Sequence, residues 1–200
     1  MQACSRFAYK TFTMPARLLA LLSLGLAAMV ATGSEAPPDV EIRPPILVTS
    51  AGQSADPSVL GALLRRLGME AEVEALAQQD QLAGVNTVLM ALGGSQKALG
   101  AAGISVDEEM ERIDALFAAA EAAELTVIGL HIGGEARRGA LSERFIEAAA
   151  PRVDFLIVTE DGNQDGYFTT LAEEIGIGIV VAESVSAVGE ALRNMFAAAE

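Results

Sequence analysis

The chain is poor in the residues that carry covalent and redox chemistry: it holds one cysteine and one histidine in 200 residues. Cys4 precedes an apolar run that reads as a cleaved leader, so the processed chain has no thiol for a disulfide, lipid anchor, metal or nucleophile. One histidine without cysteine also argues against a transition-metal site. Positive charge is scarce, with 13 Lys and Arg against 27 Asp and Glu. Beyond residue 34 the balance is ten against 27, a net charge of −17. Affinity for nucleic acid starts from a basic face, so no nucleic-acid partner is expected. The familiar signatures are missing too. "SAGQSADP" stands after the first strand where a dinucleotide fold would carry G-x-G-x-x-G, and neither G-x-x-x-x-G-K-[ST] nor G-x-S-x-G occurs.

What is present begins with Arg6, Lys10 and Arg17, then an apolar run over 18–30, then the small residues Ala31, Thr32, Gly33 and Ser34. The run falls short of the roughly 18 to 20 apolar residues that span a bilayer. Residues 1–33 therefore read as a secretory signal peptide, with Met1 or Met14 as the start, and the product as exported, periplasmic or extracellular. The alternative is an uncleaved anchor, which confines membrane contact to this segment. Prolines 37, 38, 44 and 45 mark 34–44 as a linker, and 45–200 reads as a single α/β domain.

Six apolar runs follow, over 46–50, 71–75, 85–92, 125–130, 153–159 and 177–181. Most are continuous rather than alternating, as in parallel strands buried on both faces. Helical patterns lie between them. Asp56-Pro57 predicts an N-cap and first-turn proline, Ser105 to Glu108 a capping box, and Val106, Met110, Ile113, Phe117 and Ala120 one apolar face of a long helix. Residues 80–83 make barely a turn. The expected fold is a three-layer α/β sandwich around a mostly parallel sheet of five or six strands, flavodoxin-like or Rossmann-like.

In such sheets ligands bind beyond the carboxyl ends of the strands. The loops leaving the strands are polar and rich in glycine, and those entering them are not. Two glycine doublets, Gly93-Gly94 and Gly133-Gly134, would let backbone amides approach a ligand without Cβ interference. The candidate ligand residues are Ser50, Gly52, Gln53, Gly93, Gly94, Ser95, Lys97, His131, Gly133, Gly134, Arg137 and Arg138. The alternative is a set of tight strand-to-helix turns.

The stretch from Pro44 to Phe196, and above all "GGSQKALGAAGIS" and "HIGGEARRG", resembles a family of small bacterial α/β domains catalogued as a domain of unknown function. The resemblance implies the fold and brings no activity, cofactor or catalytic residue.

Two adjacent arginines in so acidic a chain call for something negative beside them. If the helix after the fourth strand opens at Gly134 or Glu135, both sit near its start, where the dipole disfavours a cation by roughly 0.3 to 1 kcal/mol. The partner is an anionic ligand held by a guanidinium and free amides, or an internal carboxylate such as Glu135, Glu143 or Glu160. Adjacent helical residues point about 100° apart, so one arginine is expected to face the site and the other to pair on the surface. His131, with Glu160 or Asp161, would supply proton transfer in a hydrolase or isomerase. Asp161, Asn163 and Asp165 match the first half of a calcium loop, but its twelfth position is Ala172 instead of glutamate. The alternative there is a turn capped by Asp165. The function expected is an exported domain binding a small anionic molecule, a carboxylate or phosphate, with an enzyme or a protein-interaction module as alternatives. Oligomeric state leaves no trace in the sequence.

Overall fold

The computed structural model describes residues 40–197. All six apolar runs form strands: β1 (Ile46–Ala51), β2 (Glu72–Val73), β3 (Thr87–Leu92), β4 (Thr126–His131), β5 (Phe155–Thr159) and β6 (Gly178–Ala182). They form one sheet in the order β2-β1-β3-β4-β5-β6, and every neighbouring pair is parallel. This is the flavodoxin-like order with one strand added. The helices are α1 (Asp56–Arg66), α2 (Gln96–Ala102), α3 (Val106–Ala122), α4 (Ala140–Ala149), α5 (Tyr167–Ile175) and α6 (Val185–Ala197).

Alternate residues of a strand point to opposite faces, so each central strand feeds two cores. Leu47, Val88, Met90, Leu92, Val127 and Leu156 pack under α3, α4 and α5 with Phe117, Phe145 and Phe168. Ile46, Val48, Leu89, Ile128, Leu130 and Ile157 pack under α1 and α6 with Leu60, Leu64, Val188 and Leu192. Three layers result. The capping box forms as read: Glu108 N–H donates to Ser105 Oγ at 3.2 Å, and Ser105 N–H donates to Glu108 at 2.8 Å.

Five local expectations need correction. β2 is a two-residue exposed edge instead of a buried strand, because only β1 pairs with it. Residues 93–100 read as the loop after the third strand, but from Gln96 onward they belong to α2, capped by Ser95 Oγ accepting from Ala98 N–H and closed by Gly103 in the left-handed region. The cap of α1 is Ala55, so Asp56 occupies the first helical turn and its carboxylate is free of capping duty. The chain after β4 makes a 3-10 turn over Glu135–Arg137, and α4 opens only at Ala140, so neither arginine sits in the first turn of an α-helix. Ile42 is fully buried and its N–H donates to Met195 O at 3.2 Å, so residues read as the end of a linker already belong to the packed body. The leader, Cys4 and residues 34–39 lie outside the described residues. No described helix is long and apolar enough to cross a membrane.

Candidate functional site

Parallel strands deliver all their exit loops to one end of the sheet, and here those loops pack on one another. The strand order reverses between β1 and β3, where such folds leave a crevice. That crevice is closed. Gly93 N–H donates to Ala51 O at 3.0 Å and Ser95 N–H to Gln53 O at 3.1 Å, which carries main-chain pairing past the strand ends. Ser142 Oγ, on α4, accepts from Gly94 N–H at 3.1 Å and donates to Gly94 O at 2.8 Å.

The glycines are explained by what touches them. A Cβ on Gly94 would lie 2.1 Å from Gly52 O, and one on Gly52 2.4 Å from the Phe145 ring. One on Gly134, which sits at φ +64°, would lie 2.1 Å from Asp161 Oδ2. Gly162 would meet the His131 ring at 2.6 Å in the same way. Protein atoms fill these approaches, as tight turns require and as a backbone cradle for a ligand does not.

Beneath the β1 loop lies a buried charge cluster that the sequence reading missed. Glu109 and Arg112 of α3 are 0% and 8% exposed. Arg112 Nε and Nη2 donate to the two Glu109 oxygens at 2.8 and 2.7 Å, Nη1 donates to Ala77 O at 2.9 Å, and Nη2 also reaches Ser50 O. Glu109 Oε1 further accepts from Gly52 N–H at 2.9 Å and Gln53 Nε2 at 3.2 Å. Gln53 Nε2 and Ser50 Oγ both donate to Ala75 O. Ser50, Gly52 and Gln53 are thereby committed to bracing β1 against α3 and the 75–77 segment. A helical wheel held the signal: 109 and 112 fall one turn from the core positions 113 and 116.

Arg138 is equally committed. Its guanidinium donates to Gly162 O at 2.8 Å, to both oxygens of Asp165 at 3.1 and 3.2 Å, and to Glu143 at 3.3 Å. It also lies 5.0 and 5.2 Å from the Tyr167 and Phe168 ring centres, within cation–π range. Arg138 thus clamps the β4 exit loop to the β5 exit loop, and of the internal partners expected for it Glu143 is present. The hydrogen bonds from Arg138 hold the Asp165 carboxyl below its ordinary range. Burial pushes the Tyr167 phenol up. A cavity of about 280 Å³ adjoins this clamp, lined by Glu135, Glu143, Asp161, Gln164 and Asp165 among others.

The calcium expectation fails on geometry. Asn163 turns inward, its Oδ1 accepting from Phe168 N–H at 2.9 Å and its Nδ2 donating to Thr169 Oγ1 at 2.7 Å. Asp161 accepts from Glu135 N–H and Gln164 Nε2, while Asp165 accepts from Tyr167 N–H and Arg138. The three side chains cap and tie turns instead of converging on one point. Among the described residues no group of three or more His, Cys, Asp or Glu is placed to hold a metal ion.

His131 is fully buried at the end of β4, its ring stacked 5.1 Å from that of Phe168. Nδ1 lies 2.9 Å from Leu92 O and Nε2 3.2 Å from Gly134 O. Both nitrogens face main-chain carbonyls, and Glu160 and Asp161, the two expected proton-transfer partners, are exposed at the surface. This is a strand-end brace, poorly placed to exchange a proton with a substrate. Lys97 is exposed on α2, and Ser95 serves as its cap.

One group of residues remains without internal employment. Asp56 is 6% exposed, yet its buried Oδ2 has no hydrogen-bond partner, one of three such side-chain atoms among the described residues together with Arg138 Nε and Thr159 Oγ1. It lies against Gly133: a Cβ there would be 3.3 Å from Asp56 Oδ2 and 2.1 Å from Arg137 Cγ. Arg137 is half-buried, and among the described residues its guanidinium has no ion-pair partner, in contrast to its neighbour Arg138. The amides of Gly133 and Gly134 also donate to no main-chain acceptor among the described residues. The Asp56 carboxylate and the aliphatic stem of Arg137 thus flank one glycine where the β1 and β4 exit loops meet, and neither charged group has a side-chain partner among the described residues.

Comparison with known proteins places the chain but assigns it no chemistry. Residues 43–196 match the model of the family described as "Domain of unknown function (DUF6305)", so the chain belongs to that family. No curated protein matches it. Among solved structures, the psychrotrophic esterase EstA from Pseudoalteromonas sp., inhibited by monoethylphosphonate, is similar at 12% identity, with 75% of this chain and 91% of that chain covered and a TM-score of 0.31. A superposition that loose assigns neither mechanism nor substrate.

Proposed function

We propose that this member of the DUF6305 family is an exported binding domain for a small molecule that carries a carboxylate or phosphate next to a hydrogen-bond donor. The observation that supports it is the unsatisfied Asp56 oxygen beside the unpaired Arg137. A buried polar atom without a partner costs roughly 1 to 3 kcal/mol. A chain that keeps one close to the stem of an arginine without an ion-pair partner has a use for both. Arg137 and the amide of Gly133 take the anionic group, and Asp56 takes an ammonium or hydroxyl hydrogen. A bare anion is the poorer ligand, because the Asp56 carboxylate repels it. The cavities beside β6, Arg152, Arg43 and Arg138 are not lined by Asp56, Gly133 or Arg137, so the ligand proposed is a small molecule gripped at its polar end. The hydrolase or isomerase alternative has less support, since His131 is tied to two carbonyls.

The test is the melting temperature of the chain against inorganic phosphate, succinate, glutamate, phosphoserine and phosphoethanolamine. A ligand present at 100 times its Kd adds about 2.7 kcal/mol. That moves the midpoint of a domain this size by about 5 to 10 °C. The expected pattern is a shift with the compounds bearing both groups, smaller with phosphate or succinate, and absent in Arg137→Ala. A flat panel in a folded protein, or a shift that survives Arg137→Ala, would remove the proposal.

A further inference from the structure

The two edges of the sheet are guarded very differently. β2 offers two residues to a neighbour and is surrounded by Glu70, Glu72 and Glu74, the usual means of keeping an edge from pairing. β6 reads Gly-Ile-Val-Val-Ala, with no charge, proline or lysine along five residues. It pairs only with β5, so its outer edge is unpaired among the described residues. Val181 is 43% exposed, and Ile175, at the end of α5 before the strand, 37%. Along the whole of β6, from Gly176 to Glu183, runs a groove of about 860 Å³ whose other wall is the Ala187, Ala191 and Asn194 face of α6. Its charged lining is Asp154, Glu183 and Glu190, and no lysine or arginine lines it.

We propose that the open edge of β6 and its acid-rimmed groove bind an extended segment of another protein, in which apolar residues alternate with lysine or arginine, as an added seventh strand. Strand addition supplies affinity through main-chain hydrogen bonds, and alternate side chains supply selectivity. On an added strand one set of side chains rests in the groove against Val180 and the small residues of α6, and the other set lies on the opposite face beside Ile179 and Val181. The three carboxylates select the sign of the partner's charge. They also argue against a second copy of this chain. Two-fold pairing of β6 with itself would set Asp154, Glu183 and Glu190 of both copies along one shared groove, in a protein already at −17 beyond residue 34. This site lies at the edge of the sheet and stands independently of the Asp56 and Arg137 reading.

The experiment uses the full chain and a fluorescent seven-residue peptide of alternating valine and lysine, followed by anisotropy. Three companions share its design: the same peptide with glutamate for lysine, the same peptide N-methylated throughout to remove every main-chain donor, and the protein variant Val181→Lys. Saturable binding of the basic peptide is expected. Affinity should fall at least tenfold for each companion and should weaken as salt is raised. Glu183→Lys with Glu190→Lys should reverse the preference towards the acidic peptide. Val181 is partly exposed, so Val181→Lys should leave the melting temperature nearly unchanged, which separates loss of binding from loss of fold. Equal binding of the N-methylated peptide would mean attraction by charge alone and would overturn the proposal. So would absence of peptide binding, or a dimer in sedimentation that Val181→Lys dissociates, since the edge would then belong to a second copy.

Discussion

Two ion-bearing sites lie at the same end of the same sheet, and they are finished to different degrees. At Glu109 and Arg112 every nitrogen and both carboxylate oxygens have partners, and the partners are the loops themselves. At Asp56 and Arg137 a carboxylate and an arginine stem adjoin one glycine, and neither charged group has a side-chain partner among the described residues. Burial alone does not distinguish them, because Glu109, Arg112 and Asp56 are all nearly inaccessible. Saturation does. A satisfied buried network holds a fold together, whereas an unsatisfied one keeps hydrogen-bonding capacity in reserve.

The contrast can be broken most forcefully at the saturated site. Arg112→Ala strands the Glu109 carboxylate in the core, and removal of one partner of a buried pair costs about 3 to 5 kcal/mol. Urea denaturation should show that loss, and a loss below 1 kcal/mol would mean that the cluster is not the brace described. The zipped crevice comes next. Gly94→Ala drives a methyl into Gly52 O, and overpacking of this kind costs about 1 to 3 kcal/mol. If the β1 and β3 loops were instead open to a ligand, the variant would be as stable as its parent and defective only in binding.

The adjacent arginines sharpen the comparison further. Arg138→Ala should destabilise by about 1 to 2 kcal/mol, because it leaves Gly162 O, Asp165 and Glu143 without a donor at a clamp that is 11% exposed in its arginine side chain. Arg137→Ala should stay within about 0.5 kcal/mol of the parent and lose the ligand-induced shift. Equal costs at the two positions would erase the distinction drawn between them. The smallest effect concerns acid. The Asp165 carboxyl is held low by Arg138, so its contribution is complete above the ordinary aspartate value of about 3.9 and is lost as pH falls through its lower value in the folded state. Asp165 is largely solvent-exposed, which screens the interaction to a few tenths of a kcal/mol. The difference in stability between parent and Asp165→Asn should shrink below pH 4 and be constant above pH 6.

The β6 edge stands against both polar sites as the one long apolar margin of the sheet. Its exposure was not legible in "IGIGIVVAES", since the same five residues would read identically as a central strand. Position in the sheet decides which.

The sequence by itself determined most of the elements: six strands from six mostly continuous apolar runs, the capping box of α3, and the end of the sheet at which loops gather. Those properties depend on neighbours within one or two turns, where periodicity, propensity and chain breakers act. What the loop residues do was decided only by tertiary structure. Gly52 is glycine because of Phe145, Gly134 because of Asp161, and Gly162 because of His131, all contacts made by residues from other elements or loops. Arg138 and Arg137 are adjacent in sequence and identical in chemistry, yet one is surrounded by acceptors and the other is not. The partner of a charge is set by what the fold brings within 3 to 4 Å of it, a distance over which sequence separation carries no information.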